Sequence, residues 1–146
     1  MKRIIFILLV GIFTQETFSQ DKLNEQLNLM PWPKEVKVKD TNFVVTPEFT
    51  IGFQKKSKKV TNASIKFLRR LSNRTGVFLK KGFPLNNTAN TSVKIIFNKV
   101  KTPVLGVDES YELFVNNKTI TLKANTDIGV VRGLETLLQL VKTTDK

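Results

Sequence analysis

The sequence predicts a single α+β domain in which a mostly antiparallel sheet is covered on one face by two helices. Three observations lead to this prediction. Short runs of alternating apolar and polar residues recur along the chain, which is typical of strands with one buried face. Two longer segments carry apolar residues at helical spacing instead. The chain has 146 residues, 40% hydrophobic and 25% charged. That length suits one folded domain and excludes a (β/α)8 barrel, which needs roughly 250 residues.

The first twenty residues have the pattern of a secretory signal peptide. Lys2 and Arg3 precede an apolar run over residues 4–13, and polar and small residues follow up to Gln20. The apolar run is shorter than the about 20 residues that a membrane-spanning helix requires. We therefore expect residues 1–20 to be removed, by a cut after Ser19 or Gln20, and the mature protein to be secreted or periplasmic. Because the chain has no Cys, it cannot be a lipoprotein.

The mature chain is predicted to begin with an extended segment. Two prolines within residues 29–36 fix extended backbone, and Trp32 between them is expected to dock this segment. Val36 and Val38 alternate with lysines, and Phe43 and Val45 continue after a turn at residues 40–42, which predicts a short hairpin or bent strand. Residues 50–53 are predicted as the next strand.

The first helix is predicted from Ser57 to Thr75. Its apolar residues fall at helical spacing, and Gly76 directly after it suits the left-handed residue that ends many helices. Residues 77–79 and 93–97 are predicted strands, separated by a polar loop over residues 86–92. The apolar face of this helix consists of Val60, Ala63, Phe67, Leu68 and Leu71.

A hairpin and the second helix complete the domain. Residues 111–115 and 120–124 alternate in polarity on either side of Asn116-Asn117, and a two-residue turn there would pair Leu113 with Ile120. Because Asn tolerates positive φ, a primed turn is expected. Thr126 is predicted as the N-cap, and Asp127 as a first-turn residue, of a helix that runs to about Val141. Gly129 and Gly133, four residues apart, would let this helix lie close to the sheet.

The composition excludes several kinds of active site. Without His or Cys the chain cannot form thiolate or imidazole metal sites, Ser-His-Asp or Cys-His catalytic groups, or disulfides. The serines at positions 64, 72 and 110 therefore have no His to activate them. Gly129 and Gly133 match neither a phosphate-binding loop nor a dinucleotide fingerprint.

Asp108 and Glu109 form the only adjacent acidic pair of the sequence. Glycosidic bond cleavage commonly uses two carboxylates. Neighbours in extended backbone point to opposite sides, however, so a structural role is the favoured interpretation. We predict no catalytic, substrate-binding, cofactor-binding or metal-binding residue in this chain.

The charge is distributed unevenly. The formal net charge is +12, and no Asp or Glu occurs between Phe49 and Val107, a stretch that holds thirteen Lys and Arg residues. With one Trp and one Tyr, the chain lacks the aromatic platforms of a nucleic-acid-binding surface, so no nucleic-acid partner is expected. The basic region over residues 55–81 is interpreted as a solvated helix face, with an anion-binding surface as the alternative.

Two segments together resemble a known family. The opening Leu29-Met30-Pro31-Trp32-Pro33-Lys34-Glu35-Val36 is similar to the "L-x-P-x-P-K-E-V" start of the N-terminal domain of bacterial glycoside hydrolase family 20 β-N-acetylhexosaminidases. Residues 109–113, 120–124 and 129–140 are similar to its closing signature, "E-x-Y-x-L … I-x-I-x-A … G-x-x-x-G-L-x-T-L-x-Q-L". The resemblance covers residues 29–141.

The resemblance implies a non-catalytic domain over residues 21–142 that packs against a (β/α)8 barrel, the expected partner, with residues 143–146 starting the linker. The barrel is absent from this chain. In that family an Asp-Glu pair of the barrel removes terminal N-acetylglucosamine or N-acetylgalactosamine from glycans or chitooligosaccharides, assisted by the substrate's own acetamido group. Because the pair sits in a His-containing motif, Asp108-Glu109 is not that pair, and Arg132 is expected on the helix surface rather than in a sugar site.

The resemblance leads to the expectation that this chain alone is inactive and works as an accessory domain, or fragment, of such an enzyme. Two alternatives stay open at this point. One is the comparable N-terminal domain of a family 84 N-acetylglucosaminidase. The other is a free-standing module that binds glycans or polyanions through the basic region.

Overall fold

The computed structural model describes residues 27–143. The predicted signal peptide over residues 1–20, and the linker residues 144–146, lie outside the described residues. Within them the chain forms the strands and helices in the order β1 (Ile51–Phe53), α1 (Lys58–Thr75), β2 (Val93–Lys99), β3 (Tyr111–Val115), β4 (Ile120–Thr126) and α2 (Asp127–Gln139). The predicted α+β class with a sheet and two helices is confirmed.

The sheet is mixed, where the sequence predicted mostly antiparallel strands. The strand order is β1-β2-β4-β3, with β1 parallel to β2, β2 parallel to β4, and only β3 antiparallel to β4. The first parallel pair arises because α1 returns the chain to the start of the sheet between β1 and β2. The second arises because the loop over residues 100–110 carries the chain past β4 to the edge position of β3. Alternating polarity alone does not distinguish these arrangements.

The hairpin predicted over residues 36–45 is wrong. No strand occurs in residues 27–50, because the outer edge of β1 is taken by a later residue: the Leu85 N–H donates to Ile51 O at 2.8 Å, and the Phe53 N–H donates to Leu85 O at 3.1 Å. Phe43 packs against the core from irregular backbone, with its ring edge-on to Phe49 at 5.9 Å.

The strand predicted over residues 77–79 is also wrong. This segment is irregular, and its backbone is held instead by the Lys80 N–H, which donates to Pro47 O at 2.9 Å. Leu79 packs against the core, whereas Phe78 is 85% exposed.

The predicted hairpin at residues 111–124 forms, but in another register. Val115 pairs with Ile120 and Leu113 with Leu122. The turn lies one residue later than predicted, because the side-chain oxygen of Asn116 accepts the N–H groups of Lys118 at 2.9 Å and Thr119 at 2.8 Å. The expected primed turn is wrong, since the non-glycine residues with positive φ in the described part of the chain are Asn28 and Asn90. A slip of two residues keeps the same side chains on the buried face.

Both helices agree with the sequence prediction. The helix α1 follows Ser57 and ends at Gly76, which adopts φ 68° and donates its N–H to Ser72 O. The Thr126 hydroxyl caps α2 by accepting the Gly129 N–H at 3.1 Å. Gly129 and Gly133 do allow close packing on the sheet: a Cβ at these positions would lie 2.4 Å from Ser110 O and 2.2 Å from Leu122 Cδ1, respectively.

The two helices run parallel to each other. Lys59 in the first turn of α1 contacts Asp127 at the start of α2, Arg70 pairs with Glu135, and Arg74 near the end of α1 bonds to Leu138 O near the end of α2. The core lies between the helices and one face of the sheet. It contains Phe49, Ile51, Phe53, Val60, Phe67, Leu68, Leu71, Val93, Ile95, Phe97, Ile120, Leu122, Val130, Leu134, Leu137 and Leu138.

Candidate functional site

The most concentrated polar cluster of the domain surrounds Asp127, the first residue of α2, whose side chain is fully buried. One carboxylate oxygen accepts the Lys101 N–H at 2.9 Å. The other accepts the Ser57 hydroxyl at 2.8 Å and the Lys59 ammonium at 3.1 Å. The Lys59 ammonium also donates to the Lys101 carbonyl. These contacts join the starts of both helices to the loop after β2.

The position of Asp127 has an electrostatic cause. Parallel helices place two N-terminal ends, each with partial positive charge, next to one another, and a carboxylate between them offsets that charge. Burial raises the pKa of Asp127, but the hydrogen bonds from Lys101 N–H, Ser57 and Lys59, together with the Lys59 charge, outweigh burial and leave its pKa below the ordinary value. Asp127 is therefore a charged structural group at neutral pH.

This cluster is not arranged for catalysis or metal binding. It contains one carboxylate, and every oxygen of that carboxylate is occupied by donors of the protein itself. Within residues 27–143 no group of three or more acidic residues lies close enough to hold a metal ion.

Asp108 and Glu109 do not converge on a common point. Asp108 accepts the Ser110 hydroxyl at 2.6 Å and the Ser110 N–H at 2.9 Å, and hydrogen bonds from Ser110 and Asn125 lower its pKa. Glu109 instead forms a two-bond ion pair with Arg132 on α2, at 2.8 and 3.1 Å, which lowers its pKa as well. The two carboxylates thus stabilise the approach to β3 on different sides. Arg132 lies on the exposed surface of α2, as the sequence predicted.

The three serines considered as nucleophiles occupy structural positions. Ser64 is fully buried in α1, and its hydroxyl has no partner among the described residues. The Ser72 hydroxyl donates to Val77 O at 2.7 Å, and that of Ser110 donates to Asp108.

Part of the basic region over residues 55–81 forms one exposed face of α1. Lys58, Lys66 and Arg69 are exposed on this face with Asn62 and Asn73, and none of the three cations forms an ion pair within the described part of the chain. Arg70, at the border of this face, is paired with Glu135 at 2.6 Å. The face is therefore solvated and unneutralised by the domain's own acids.

Two shallow grooves occur on the surface. One, of about 320 Å³, lies at the loop over residues 101–107 beside the exposed Val104 and Leu105. The other, of about 430 Å³, lies at the start of α1 beside Lys56, Lys58 and Phe83. The buried hydroxyls that line them are bonded within the protein, Thr126 to Asp108 O in the first groove and Ser57 to Asp127 in the second. None of the helices in residues 27–143 is long and apolar enough to cross a membrane.

Sequence reasoning missed the Asp127 cluster. The sequence predicted a helix start at Asp127 and another at Ser57. These two helix starts were the signal that it offered for the cluster. Ser57 and Asp127 lie 70 residues apart in the chain. The parallel alignment of the helices brings them together, and that alignment depends on the mixed sheet, which the sequence did not predict.

Comparison with known proteins gives consistent matches. The family model "beta-acetyl hexosaminidase like" matches residues 29–140. Among solved structures, a chitobiase from Flavobacterium johnsoniae is similar at 42% identity and a TM-score of 0.79, over 84% of this chain and 19% of that one. A Streptomyces plicatus N-acetyl-beta-hexosaminidase shares the fold, at 21% identity and a TM-score of 0.58, over 80% of this chain and 21% of that one.

A curated relative extends the similarity to a eukaryote. Beta-hexosaminidase subunit A2 of Dictyostelium discoideum is 28% identical over 142 residues, which is 96% of this chain and 26% of the relative. The chain thus spans about a quarter or less of the length of these relatives. The family match favours glycoside hydrolase family 20 over family 84. Since that match covers most of the sequence, the chain belongs to the beta-acetyl hexosaminidase like family, the non-catalytic N-terminal domain of family 20 hexosaminidases.

Proposed function

We propose that this chain serves as the accessory domain of a secreted β-N-acetylhexosaminidase, which removes terminal N-acetylglucosamine or N-acetylgalactosamine from glycans or chitooligosaccharides. The observation that carries this proposal is the family match over residues 29–140. The similarity to the Flavobacterium johnsoniae chitobiase, at 42% identity, supports it. In this proposal a (β/α)8 barrel of the same polypeptide performs the hydrolysis.

The domain itself contributes no reacting group. Substrate-assisted hydrolysis needs a proton donor and a carboxylate that orients the acetamido group of the sugar. Here Asp108 and Glu109 are held apart by Ser110 and Arg132, and Asp127 is buried and fully bonded. The role that remains is structural, with the domain covering and orienting the barrel.

The activity test uses the purified 146-residue chain with a chromogenic N-acetylglucosaminide. No turnover above the uncatalysed rate is expected, because the chain holds no His for the family's catalytic motif and its adjacent carboxylates, Asp108 and Glu109, do not converge. Measurable turnover, abolished by Glu109→Gln, would overturn the accessory role. A variant with both Lys66 and Arg69 substituted is the control, because neither side chain can take part in hydrolysis.

Export is the second part of the proposal. The pattern of residues 1–20 supports cleavage and release from the cytoplasm. N-terminal sequencing of the protein recovered outside the cytoplasm is expected to start at Gln20 or Asp21. Recovery only from the cytoplasm, with Met1 or Lys2 intact, would contradict export.

The unneutralised face of α1 favours one alternative function, a module that binds acidic glycans. Retention of the chain on a polyanion column would be lost at low salt if the face is only solvated. Retention that persists to high salt and falls in a Lys66→Glu, Arg69→Glu variant would favour the alternative. A Lys118→Glu, Lys123→Glu variant, which makes the same change in net charge at exposed positions of the β3–β4 hairpin, is the matched control.

A further inference from the structure

The loop between β2 and β3 contains a turn that carries two exposed aliphatic side chains. The Val107 N–H donates to the Val104 carbonyl at 3.2 Å, and Gly106 adopts φ 80°, as the third residue of a type II turn requires. Leu105, the second residue of the turn, is fully exposed, and Val104 is 63% exposed. A hydrogen-bonded turn thus holds two neighbouring aliphatic side chains in water.

Lysines gather around this turn from two parts of the chain. Lys99 and Lys101 line the same groove as the two aliphatic side chains. The Lys59 ammonium reaches the loop from the first turn of α1 and donates to the Lys101 carbonyl. The Lys55 ammonium, from the segment before α1, donates to the Asn98 carbonyl next to Lys99. Backbone hydrogen bonds therefore place four lysines beside one loop.

The carboxylates near this loop leave most of the positive charge unpaired. Lys59 pairs with the buried Asp127 at 3.1 Å. Asp108 also lines the groove, but its carboxylate accepts hydrogen bonds from neutral groups of Ser110 and Asn125. The lysines of this loop that form no ion pair with a described residue are Lys55, Lys99 and Lys101. The loop thus combines unpaired cations with protruding aliphatic groups.

This combination matches the chemistry of a membrane surface that contains anionic lipids. Such a surface attracts lysine ammonium groups to its phosphates, and it buries aliphatic side chains at the boundary between headgroups and acyl chains. An acidic glycan matches the lysines only, because it has no hydrocarbon layer to remove Val104 and Leu105 from water. The apolar turn therefore favours lipid over glycan.

We propose that this loop surface binds the surface of a membrane that contains anionic lipids. Val104 and Leu105 insert at the level of the headgroups, and the lysines contact the phosphates. The proposal goes beyond the proposed function, because it needs no catalytic domain. The residues that define the loop surface are Lys55, Lys59, Lys99, Lys101, Val104 and Leu105.

Sedimentation with lipid vesicles measures the binding. The protein used starts at Asp21, because the apolar run over residues 4–13 would itself bind lipid. Vesicles of phosphatidylglycerol and phosphatidylcholine in equal parts are compared with vesicles of phosphatidylcholine alone. We expect binding to the anionic vesicles to be stronger by on the order of tenfold or more, since each lysine near an anionic surface adds to the attraction.

Two variants separate the apolar and the charged contributions. Leu105→Ser should weaken binding to the anionic vesicles by about tenfold, the effect of burying one such side chain. Its matched control is Phe78→Ser, which removes an exposed apolar side chain just beyond the opposite end of α1 and should leave binding unchanged. Thermal unfolding of each variant checks that the fold is retained.

The charged variant is Lys99→Gln, Lys101→Gln, which should also weaken binding by about tenfold. Lys66→Gln, Arg69→Gln makes the same change in net charge on the exposed face of α1. This control should lose less than about threefold, because its cations lie away from the bound surface and are screened by salt.

Insertion of the turn is measured separately with a fluorescent label. The sequence has no Cys, so Leu105→Cys supplies a single thiol for an environment-sensitive dye. The emission of this dye should shift to shorter wavelength on anionic vesicles, because the label leaves water. The same dye on Phe78→Cys should show no shift.

Three outcomes would overturn the proposal. The first is no binding to anionic vesicles at low salt. The second is binding that is unaffected by Leu105→Ser and falls equally in both glutamine variants, which would show attraction by net charge alone. The third is retention on an acidic polysaccharide that depends on Lys99 and Lys101, without binding to vesicles, which would assign the loop surface to a glycan. Hydrolysis is measured on other proteins and substrates, so none of these outcomes affects the proposed function.

Discussion

Asp127 lies where the N-terminal ends of two parallel helices meet, and it ties both to the loop after β2. Replacing it with Ala would leave the Ser57 hydroxyl and the Lys101 N–H without their acceptor, and would leave the Lys59 ammonium with the Lys101 carbonyl alone. We expect the free energy of unfolding to fall by about 1–3 kcal/mol, the cost of leaving buried donors unsatisfied. Urea unfolding followed by circular dichroism measures this change.

The control for this substitution is Glu135→Ala. Glu135 also forms an ion pair, with Arg70, but both side chains are about half exposed. Exposed ion pairs contribute only about 0–1 kcal/mol, so this change should have a much smaller effect. Equal losses in the two variants would show that the Asp127 cluster has no special role in the fold.

The same residue predicts an acid dependence of stability. The pKa of Asp127 is lower in the folded chain than its ordinary value, so the unfolded chain binds the proton first as the pH falls. The stabilisation is complete above the ordinary Asp pKa, about 3.9, and is lost below it. The stability difference between the wild type and Asp127→Asn should therefore shrink as the pH is lowered through this range. A difference that stays constant with pH would contradict a charged role for Asp127.

Thr126 and Asp127 show which residue roles the sequence alone can predict and which it cannot. Thr126 was recognised as an N-cap because the cap bond is local, within three residues. The role of Asp127 depends on Ser57, Lys59 and Lys101, which the fold brings from separate parts of the chain. Its burial could not be derived without the helix alignment.

At the level of secondary structure, helix α2 lies close to the sheet because two of its residues have no side chain. A Cβ at Gly129 would meet the backbone carbonyl of Ser110 at 2.4 Å, and one at Gly133 would meet the fully buried Leu122 at 2.2 Å. Neither neighbour can move away without displacing β3 or the core. The spacing of the two glycines predicted this contact from the sequence.

We expect Gly129→Ala and Gly133→Ala each to lower the free energy of unfolding, by about 1–3 kcal/mol or more from overpacking. Gly82→Ala is the matched control, because a Cβ there has nothing within 4 Å. Thermal unfolding of the three variants side by side measures the effect. If the variants in α2 melt together with the Gly82 variant, the close helix–sheet contact is not required.

The strands show which other features the sequence could and could not predict. The pattern of residues 93–97 and 111–124 identified three strands correctly, because alternation over a buried face is local. Which strands lie next to each other was harder to predict. Leu85 bonds to the outer edge of β1, the hairpin predicted over residues 36–45 does not form, and Asn116 shifts the last hairpin by two residues. Both outcomes depend on competing hydrogen bonds that polarity patterns do not record.

At the level of the whole molecule, the domain is a scaffold. Its carboxylates at positions 108, 109 and 127 are bonded within the domain, the buried Asp127 joins both helices, and its large exposed apolar side chains lie mainly in loops. The opening and closing motifs of the sequence indicated the family, and the match over residues 29–140 shows it. The charge asymmetry of the sequence was visible too, and three of its cations, Lys58, Lys66 and Arg69, form an exposed face of α1 rather than a built site.

The central claim is that this domain supports a catalytic domain that it does not itself contain. The most direct measurement uses a hybrid enzyme in which residues 27–143 replace the matching segment of the Flavobacterium johnsoniae chitobiase. Its rate of hydrolysis of a chromogenic N-acetylglucosaminide is compared with that of the chitobiase from which the matching N-terminal segment is deleted. We expect the hybrid to approach the rate of the intact chitobiase, while the deleted form loses most of its activity. A hybrid no more active than the deleted form would contradict the supporting role of the domain.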